Sequence, residues 1–233
     1  MFKFKDFRLS DAHCGQKVCS DAVLFAAWAW SELPACGTVL DVGAGSGLLS
    51  LITANCCPQA KVIAIEIDPG ACTDAKENFA SSPWSERLSL YEGNYLDFEP
   101  REPVDDVICN PPFFATGALA NDAVRAGARH EGSLSYEGAI KYATKVLPPE
   151  GRLLLIGPTE RESELIFAAE MAGLKIRRIM HVRTSPRREP TRAFWEFRKA
   201  DGPIERGEMA VRNAEGKYSP EYLELVENLY HHL

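Results

Sequence analysis

Apolar, β-branched runs recur along this chain and alternate with segments of helical periodicity. Thr38-Val39-Leu40-Asp41-Val42 is the first run, and Lys61 to Ile67, Leu88 to Tyr91, Val104 to Cys109 and Arg152 to Ile156 follow. Each is short and nearly continuous, the pattern of strands buried on both faces of a parallel sheet. Ile176 to Arg183 and Ala193 to Arg198 lie close together and predict an antiparallel pair. Between the runs, helices are expected over Leu48 to Asn55, Pro69 to Phe79, Leu134 to Val146, a segment ending near Ala172, and Glu221 to Tyr230. Their boundaries have chemical signals. Asp68 stands as N-cap before Pro69 at the first helical position, and Pro148-Pro149 stops the third helix. Thr159 and Glu162 have capping-box spacing, and Ser219-Pro220 opens the last helix. Phe113 to Gly132 lacks a strong period and contains three glycines, which predicts a long functional loop. The expected fold is α/β: a seven-stranded, doubly wound, mostly parallel sheet with an antiparallel C-terminal strand pair.

Composition narrows the class. The chain has 233 residues, 45% of them hydrophobic, enough for one large core and one domain over residues 1–233. Charged residues make up 25%, ordinary for a globular protein. No apolar run approaches the roughly 18–20 residues that span a bilayer, and Met1 to Asp6 lacks the apolar core of a signal peptide. A cytoplasmic monomer with no membrane association is expected. The 7 cysteines are odd in number and form no C-x-x-C pair, which argues against a zinc site or a disulfide framework. Reduced thiols and no metal are expected.

Net charge is −7, unfavourable for a general phosphate binder. Its distribution changes that picture. Lys175, Arg177, Arg178, Arg183, Arg187, Arg188, Arg192, Arg198 and Lys199 fall in one stretch, opposed only by Glu189 and Glu196. Lys3, Lys5, Arg8 and Lys17 add positive charge near the N-terminus. An acidic protein with a locally basic segment has a directed phosphate-binding face, and the Ser185–Pro190 loop is its best candidate. A solvated hairpin laced with salt bridges is the competing reading.

The first strand runs into Gly43-Ala44-Gly45-Ser46-Gly47 and then a helix. In open α/β sheets such a turn, at the carboxyl end of a strand, is where ligands bind, and glycines allow close backbone approach. The spacing is G-x-G-x-G, not the G-x-G-x-x-G of dinucleotide enzymes. Asp41, just before the first glycine, would disfavour a pyrophosphate and welcome a methionine ammonium. The turn therefore favours S-adenosylmethionine over NAD. Glu66, at the end of the second strand, can accept from both ribose hydroxyls, and Ile67 beside it and Asn110 join the cofactor-binding set. After the third strand, Asn94 is the candidate for holding the cofactor adenine, with Asp97 as the alternative.

Asn110-Pro111-Pro112-Phe113 directly follows the fourth strand. An amino group conjugated to a base is a poor nucleophile because its lone pair is delocalised. Two acceptors on its hydrogens favour pyramidalisation and direct the lone pair to a methyl donor. The Asn110 side-chain oxygen and the Pro111 carbonyl can be those acceptors, stiffened by the prolines, while Phe113 can stack on the base. His130 and His181 could be proposed as proton acceptors, although a lone histidine is more often structural.

These motifs resemble the class I, Rossmann-like methyltransferases that act on amino groups. Phe4-Lys5-Asp6-Phe7, Cys14 to Leu24, Ala27-Trp28-Ala29, Arg129-His130-Glu131 and Gly216 to Tyr222 narrow the resemblance to the bacterial valine tRNA adenine-N6 methyltransferase family, over nearly the full length. The resemblance implies methylation of N6 of the adenine 3′ of the anticodon, a tRNA modification. It implies that Lys17, Ser20, Asp21 and Ala22 approach the cofactor or cover the site, with residues 1–30 capping it. Arg129, Arg187, Arg188 and Arg192 are the expected RNA contacts. Asn94 departs from the family, where many members carry Asp. Three rivals stand beside this reading: a guanine amino group in ribosomal RNA, a protein glutamine amide, and a non-catalytic RNA-binding module on the same fold. The basic hairpin argues against the second, and the intact NPPF and glycine turns against the third.

Overall fold

A computed structural model describes residues 1–33, 35, 37–112 and 134–230. The chain opens with two short antiparallel strands, β1 (Phe2–Lys3) and β2 (Arg8–Leu9), then helix α1 (Ser20–Trp30). β3 (Thr38–Val42), α2 (Leu48–Cys56), β4 (Lys61–Glu66), α3 (Pro69–Ala80), β5 (Leu88–Glu92) and β6 (Asp106–Cys109) follow. Then come α4 (Tyr136–Val146), β7 (Arg152–Pro158), α5 (Glu162–Met171), β8 (Lys175–Arg183), β9 (Arg192–Arg198), β10 (Glu205–Ala210) and α6 (Pro220–Val226).

The central sheet has the order β10-β8-β9-β7-β6-β3-β4-β5. β9 runs antiparallel to both β7 and β8, and the other pairings are parallel. This is the expected mostly parallel α/β sheet with its antiparallel pair, but with eight strands, not seven. The extra strand is β10, Glu-Arg-Gly-Glu-Met-Ala, which pairs with β8 at the sheet edge. Only Met209 of its residues is buried, so it has no apolar run to announce it. β3, β6 and nearly all of β7 are buried throughout, which explains their continuous apolar character.

Two apolar layers flank the sheet. One takes side chains from α1, α2, α3 and α6, the other from α4 and α5. α1 was not expected as a helix. Its residues Ala22 to Trp30 are all buried, so it lacks the polar face that makes a helix visible as an amphipathic period. The Thr159–Glu162 capping box does not form. Thr159 to Arg161 make a 3₁₀ turn, and the Thr159 hydroxyl donates to the Pro190 carbonyl. The Glu162 carboxylate instead accepts from the Trp195 indole at 3.1 Å and bonds His181 Nε2 at 2.7 Å, so His181 has a structural partner. Among the described residues no helix is long and apolar enough to cross a membrane, and no cluster of His, Cys, Asp and Glu could hold a metal ion.

Because β3, β4, β5 and β6 are parallel, the segments 43–47, 66–68, 93–97 and 110–112 emerge at one end of the sheet. That convergence builds the site.

Candidate active site

The glycine turn is held open by backbone geometry. Gly43, Gly45 and Gly47 adopt φ of +73°, +56° and +85°, conformations that L side chains rarely take. The Gly43 and Ala44 amides donate to the Ile65 carbonyl at 2.9 and 3.1 Å, tying the turn to β4. A Cβ on Gly43 would lie 2.3 Å from Leu134 Cδ2, and one on Gly47 2.4 Å from Phe79 Cε1. At Gly45 it would meet only Cys14 Sγ, at 3.5 Å.

Asp41 lies beneath this turn, fully buried. Its Oδ2 accepts from the Ser50 amide at 2.9 Å and hydroxyl at 2.7 Å, while Oδ1 has no donor. Burial pushes its pKa up to about 7, against the lowering effect of the two Ser50 bonds. Glu66 fastens two loops at once. Its Oε2 accepts from the Gly45 amide, and its Oε1 from the Ile67 and Asp68 amides, all at 2.8 Å. Ile67 is 60% exposed, a bare apolar surface beside that carboxylate. Asp68 caps α3 through the Ala71 amide, as its place before Pro69 predicts. Asn94 caps a 3₁₀ turn by accepting from the Leu96 amide at 3.0 Å, and Asp97 is exposed.

Asn110 follows β6, whose Cys109 pairs with Val42, so it emerges beside Gly43. Its Oδ1 is buried and has no donor among the described residues. Pro111 is buried and Pro112 half-buried behind it. A narrow cleft is lined by Gln16 to Cys19 on one side and by Gly43 to Ser46 and Asn110 on the other. Lys17 lines it, but its ammonium donates to the Asp11 carbonyl. Asp21 instead pairs with Arg192 at 3.2 Å, linking the start of α1 to the start of β9. Phe113, Arg129 and His130 lie outside the described residues.

The basic stretch divides into two groups. Arg178 is buried, with Glu32 at 2.9 Å, Glu196 at 3.3 Å and the Trp28 ring 4.5 Å below its guanidinium. Arg198 pairs with Glu196 at 2.6 Å, and Arg183 with Glu208. These side chains brace the sheet. Arg187 and Arg188, in the β8–β9 loop, are exposed and make no ion pair among the described residues.

A cavity of about 920 Å³ runs along edge strand β5 and reaches the starts of β3 and β4 at Thr38 and Lys61. Neither the glycine turn nor Asn110 lines it, although Asp97, the alternative candidate for the cofactor adenine, does. Ser50, which holds Asp41, was not foreseen, because a serine inside an apolar helix gives no signal of its own. The donor set fits S-adenosylmethionine. Two buried acceptors without donors among the described residues, at Asp41 and Asn110, suit a ligand rich in N–H groups, and the Glu66 carboxylate suits hydroxyls.

Solved structures share this architecture at low identity. A structure described as a "predicted O-methyltransferase" of Agrobacterium tumefaciens covers 89% of this chain and 95% of its own, with TM-score 0.66 and 18% identity. A glycopeptide N-methyltransferase complexed with sinefungin covers 80% of this chain and 90% of its own, with TM-score 0.59 and 12% identity. The fold is therefore that of the class I, Rossmann-like methyltransferases. The model of the methyltransferase small domain matches residues 28–175. A tRNA1(Val) (adenine(37)-N6)-methyltransferase of Porphyromonas gingivalis is 39% identical over 99% of this chain and 94% of the relative. One of Shewanella amazonensis is 38% identical over 98% of each. The chain belongs to this family of methyltransferase small domain proteins.

Proposed function

We propose that this chain uses S-adenosylmethionine to methylate the exocyclic N6 of an adenine in tRNA, the adenine 3′ of the anticodon in valine tRNA. The observation that carries the chemistry is Asn110 Oδ1: a buried carbonyl oxygen beside the glycine turn, without a donor among the described residues. An acceptor left bare in a buried site costs free energy unless a ligand donor meets it. The N6 amino group is such a donor. Asn110 Oδ1 and the Pro111 carbonyl accept hydrogen bonds from its two N–H groups and turn the nitrogen lone pair toward the methyl donor, and one N6 proton passes to solvent after transfer. Pro112 stiffens the turn, and Phe113 stacks on the flipped base. When bound, S-adenosylmethionine supplies an electrophilic methyl group on a sulfonium. The chain's part is to hold and align, and the chemistry calls for no metal.

Gly43, Gly45 and Gly47 let the backbone approach the cofactor, while Asp41 lies on its ammonium side. Glu66 takes the ribose hydroxyls, Ile67 lies against the adenine, and the Asn94 amide reaches the adenine edge. Lys17 and Asp21 belong to the N-terminal segment, residues 1–30, which covers the site of a single domain. Arg187 and Arg188, with Arg129, meet the tRNA backbone, whereas Arg192 is engaged by Asp21.

Incubating the protein with unmodified tRNA and isotopically labelled S-adenosylmethionine, then analysing nucleosides by mass spectrometry, tests this reading. Labelled N6-methyladenosine in valine tRNA is the expected product. Labelled guanosine, a labelled protein glutamine or no transfer would overturn it.

A further inference from the structure

Helix α3 carries two buried polar residues that the chemistry above does not use. Asp74 and Asn78 are four residues apart, so they share one face of the helix, and they are 0% and 4% exposed. Neither bonds within the helix. Asp74 Oδ2 accepts from the His13 and Cys14 amides, both at 2.8 Å, and its Oδ1 bonds His13 Nδ1 at 2.8 Å. Those bonds draw its carboxyl below the usual range despite burial, which alone would raise it. Asn78 accepts from the Ser10 amide at 2.8 Å and donates to the Ser10 carbonyl at 2.8 Å. Its remaining amide hydrogen reaches the Ser46 carbonyl, also at 2.8 Å, between Gly45 and Gly47.

One side chain thus joins three parts of the molecule: the N-terminal segment, helix α3 and the glycine turn. The segment is closed beyond that point by its own bonds. The Val18 amide donates to Asp11 Oδ2 at 3.0 Å, and Cys14 Sγ to the Gln16 carbonyl at 3.1 Å. A Cβ on Gly70, in the first turn of α3, would come within 2.6 Å of the His13 carbonyl, so the segment passes close over the helix start. Gln16 to Cys19 then form one wall of the cleft whose other wall is Gly43 to Ser46. The same helix start follows directly on Glu66, Ile67 and Asp68.

We propose that Asp74 and Asn78 are positioning residues that clasp Ser10–Cys14 to α3, so that Gln16–Cys19 roofs the bound cofactor. The roof role rests on the reading of this cleft as the S-adenosylmethionine site. Neither residue touches the reacting atoms. Their effect falls on cofactor retention and leaves the positioning of the target base alone.

The test compares the full chain with Asn78→Asp and Asp74→Asn. Asn78→Asp keeps the size and the acceptor for Ser10, but turns an oxygen toward the Ser10 and Ser46 carbonyls. Asp74→Asn removes the charge that strengthens the bonds from the His13 and Cys14 amides and leaves its NH2 to the neutral His13 imidazole, so it weakens the clasp without removing it. Backbone hydrogen exchange without cofactor reads the clasp itself: the Ser10, His13, Cys14 and Val18 amides exchange faster in both variants. Calorimetry then shows Kd for S-adenosylmethionine raised about tenfold, the effect of one buried hydrogen bond broken with its partner left behind. KM for the cofactor rises with it, while KM for tRNA and kcat at saturating cofactor stay within about twofold. His13→Ala guards against a folding artefact. Its side chain is 60% exposed, and it loses only the Nδ1 contact, so a smaller loosening in the same direction is expected. Unchanged exchange in the variants would overturn the clasp. Faster exchange with unchanged cofactor Kd would overturn the roof. A wild-type chain that binds no S-adenosylmethionine would overturn the reading of the cleft, and the roof with it, while the exchange data still report on the clasp.

Discussion

Asn110 and Asp41 each bury an oxygen with no donor among the described residues, yet they differ in charge and predict different behaviour. Asn110→Ala removes an acceptor that acts on the amino group, so kcat should fall by about 10²–10³, the usual loss for one preorganised polar group. Cofactor Kd should stay within a few-fold, because the glycine turn and Glu66 remain. Single-turnover methyl transfer beside calorimetry checks both, and a kcat within threefold of wild type would sink the role. Asp41 acts through its proton. Burial raises its pKa from 3.8 to about 7, so the folded chain keeps a proton that the unfolded chain releases near pH 4. Stability from this group is therefore lost as pH rises from about 4 to 7 and is level above that. Urea unfolding of wild type against Asp41→Asn isolates it. Wild type should lose ground to the variant across that window, at no more than about 1.4 kcal/mol per pH unit. A cation bound against Asp41 lowers its pKa, so cofactor binding near pH 6 should release protons, visible as a buffer-dependent binding enthalpy.

At the scale of elements, the central strands are locked by a charge pair on one rung of the sheet. Asp106 of β6 sits opposite Arg152 of β7, and two bonds of 2.6 and 2.9 Å join them in the interior. Arg152 also donates to the Leu33 carbonyl at 2.7 Å and lies over the Trp30 ring. Removing one partner strands the other charge, so Asp106→Ala should cost roughly 3–5 kcal/mol in a denaturant titration. A loss below 1 kcal/mol would mean that water reaches Arg152. Neither residue stands out in the sequence, and the reason applies widely in this fold. β3, β6 and β7 were legible because burial on both faces demands continuous apolar runs, and β4 and the edge strand β5 because enough apolar positions persist in them. β3 was read with the bounds it has. β10 was not legible, because an edge strand satisfies its backbone while leaving its side chains in solvent. α1 was missed for the opposite reason, being buried along nearly its whole length. The glycine turn and Asn-Pro-Pro were legible because their chemistry depends on local spacing. Asp21 with Arg192, 171 residues apart, and Asn78 with Ser10 and Ser46 were not, because folding alone brings them together.

For the whole molecule, the question is how a chain of net charge −7 meets a polyanion. The fold answers by pairing four arginines of the basic stretch internally. Arg178, Arg183, Arg192 and Arg198 are each matched to carboxylates, so they add little net field outside the protein. Arg187 and Arg188 differ, because their loop leaves both exposed. The loop is held in place from two sides. The Arg188 amide donates to the Ser185 carbonyl, and the Val211 and Arg212 amides donate to the Arg183 and Thr184 carbonyls at its base. Two exposed guanidinium groups without an ion pair among the described residues, on an acidic molecule, form a local attraction that long-range repulsion opposes, and this makes binding steeply dependent on salt. Replacing both by alanine should therefore weaken tRNA affinity and reduce the slope of log K against log salt by about 0.7–0.9 per lost phosphate contact. Cofactor Kd should not move, since neither side chain lines the cleft. The matched control is Arg183→Ala, whose charge is already neutralised by Glu208 and which should change the slope far less. Filter-binding titrations across a range of salt decide the matter. Equal slopes for wild type and the double variant would remove this loop from the RNA interface.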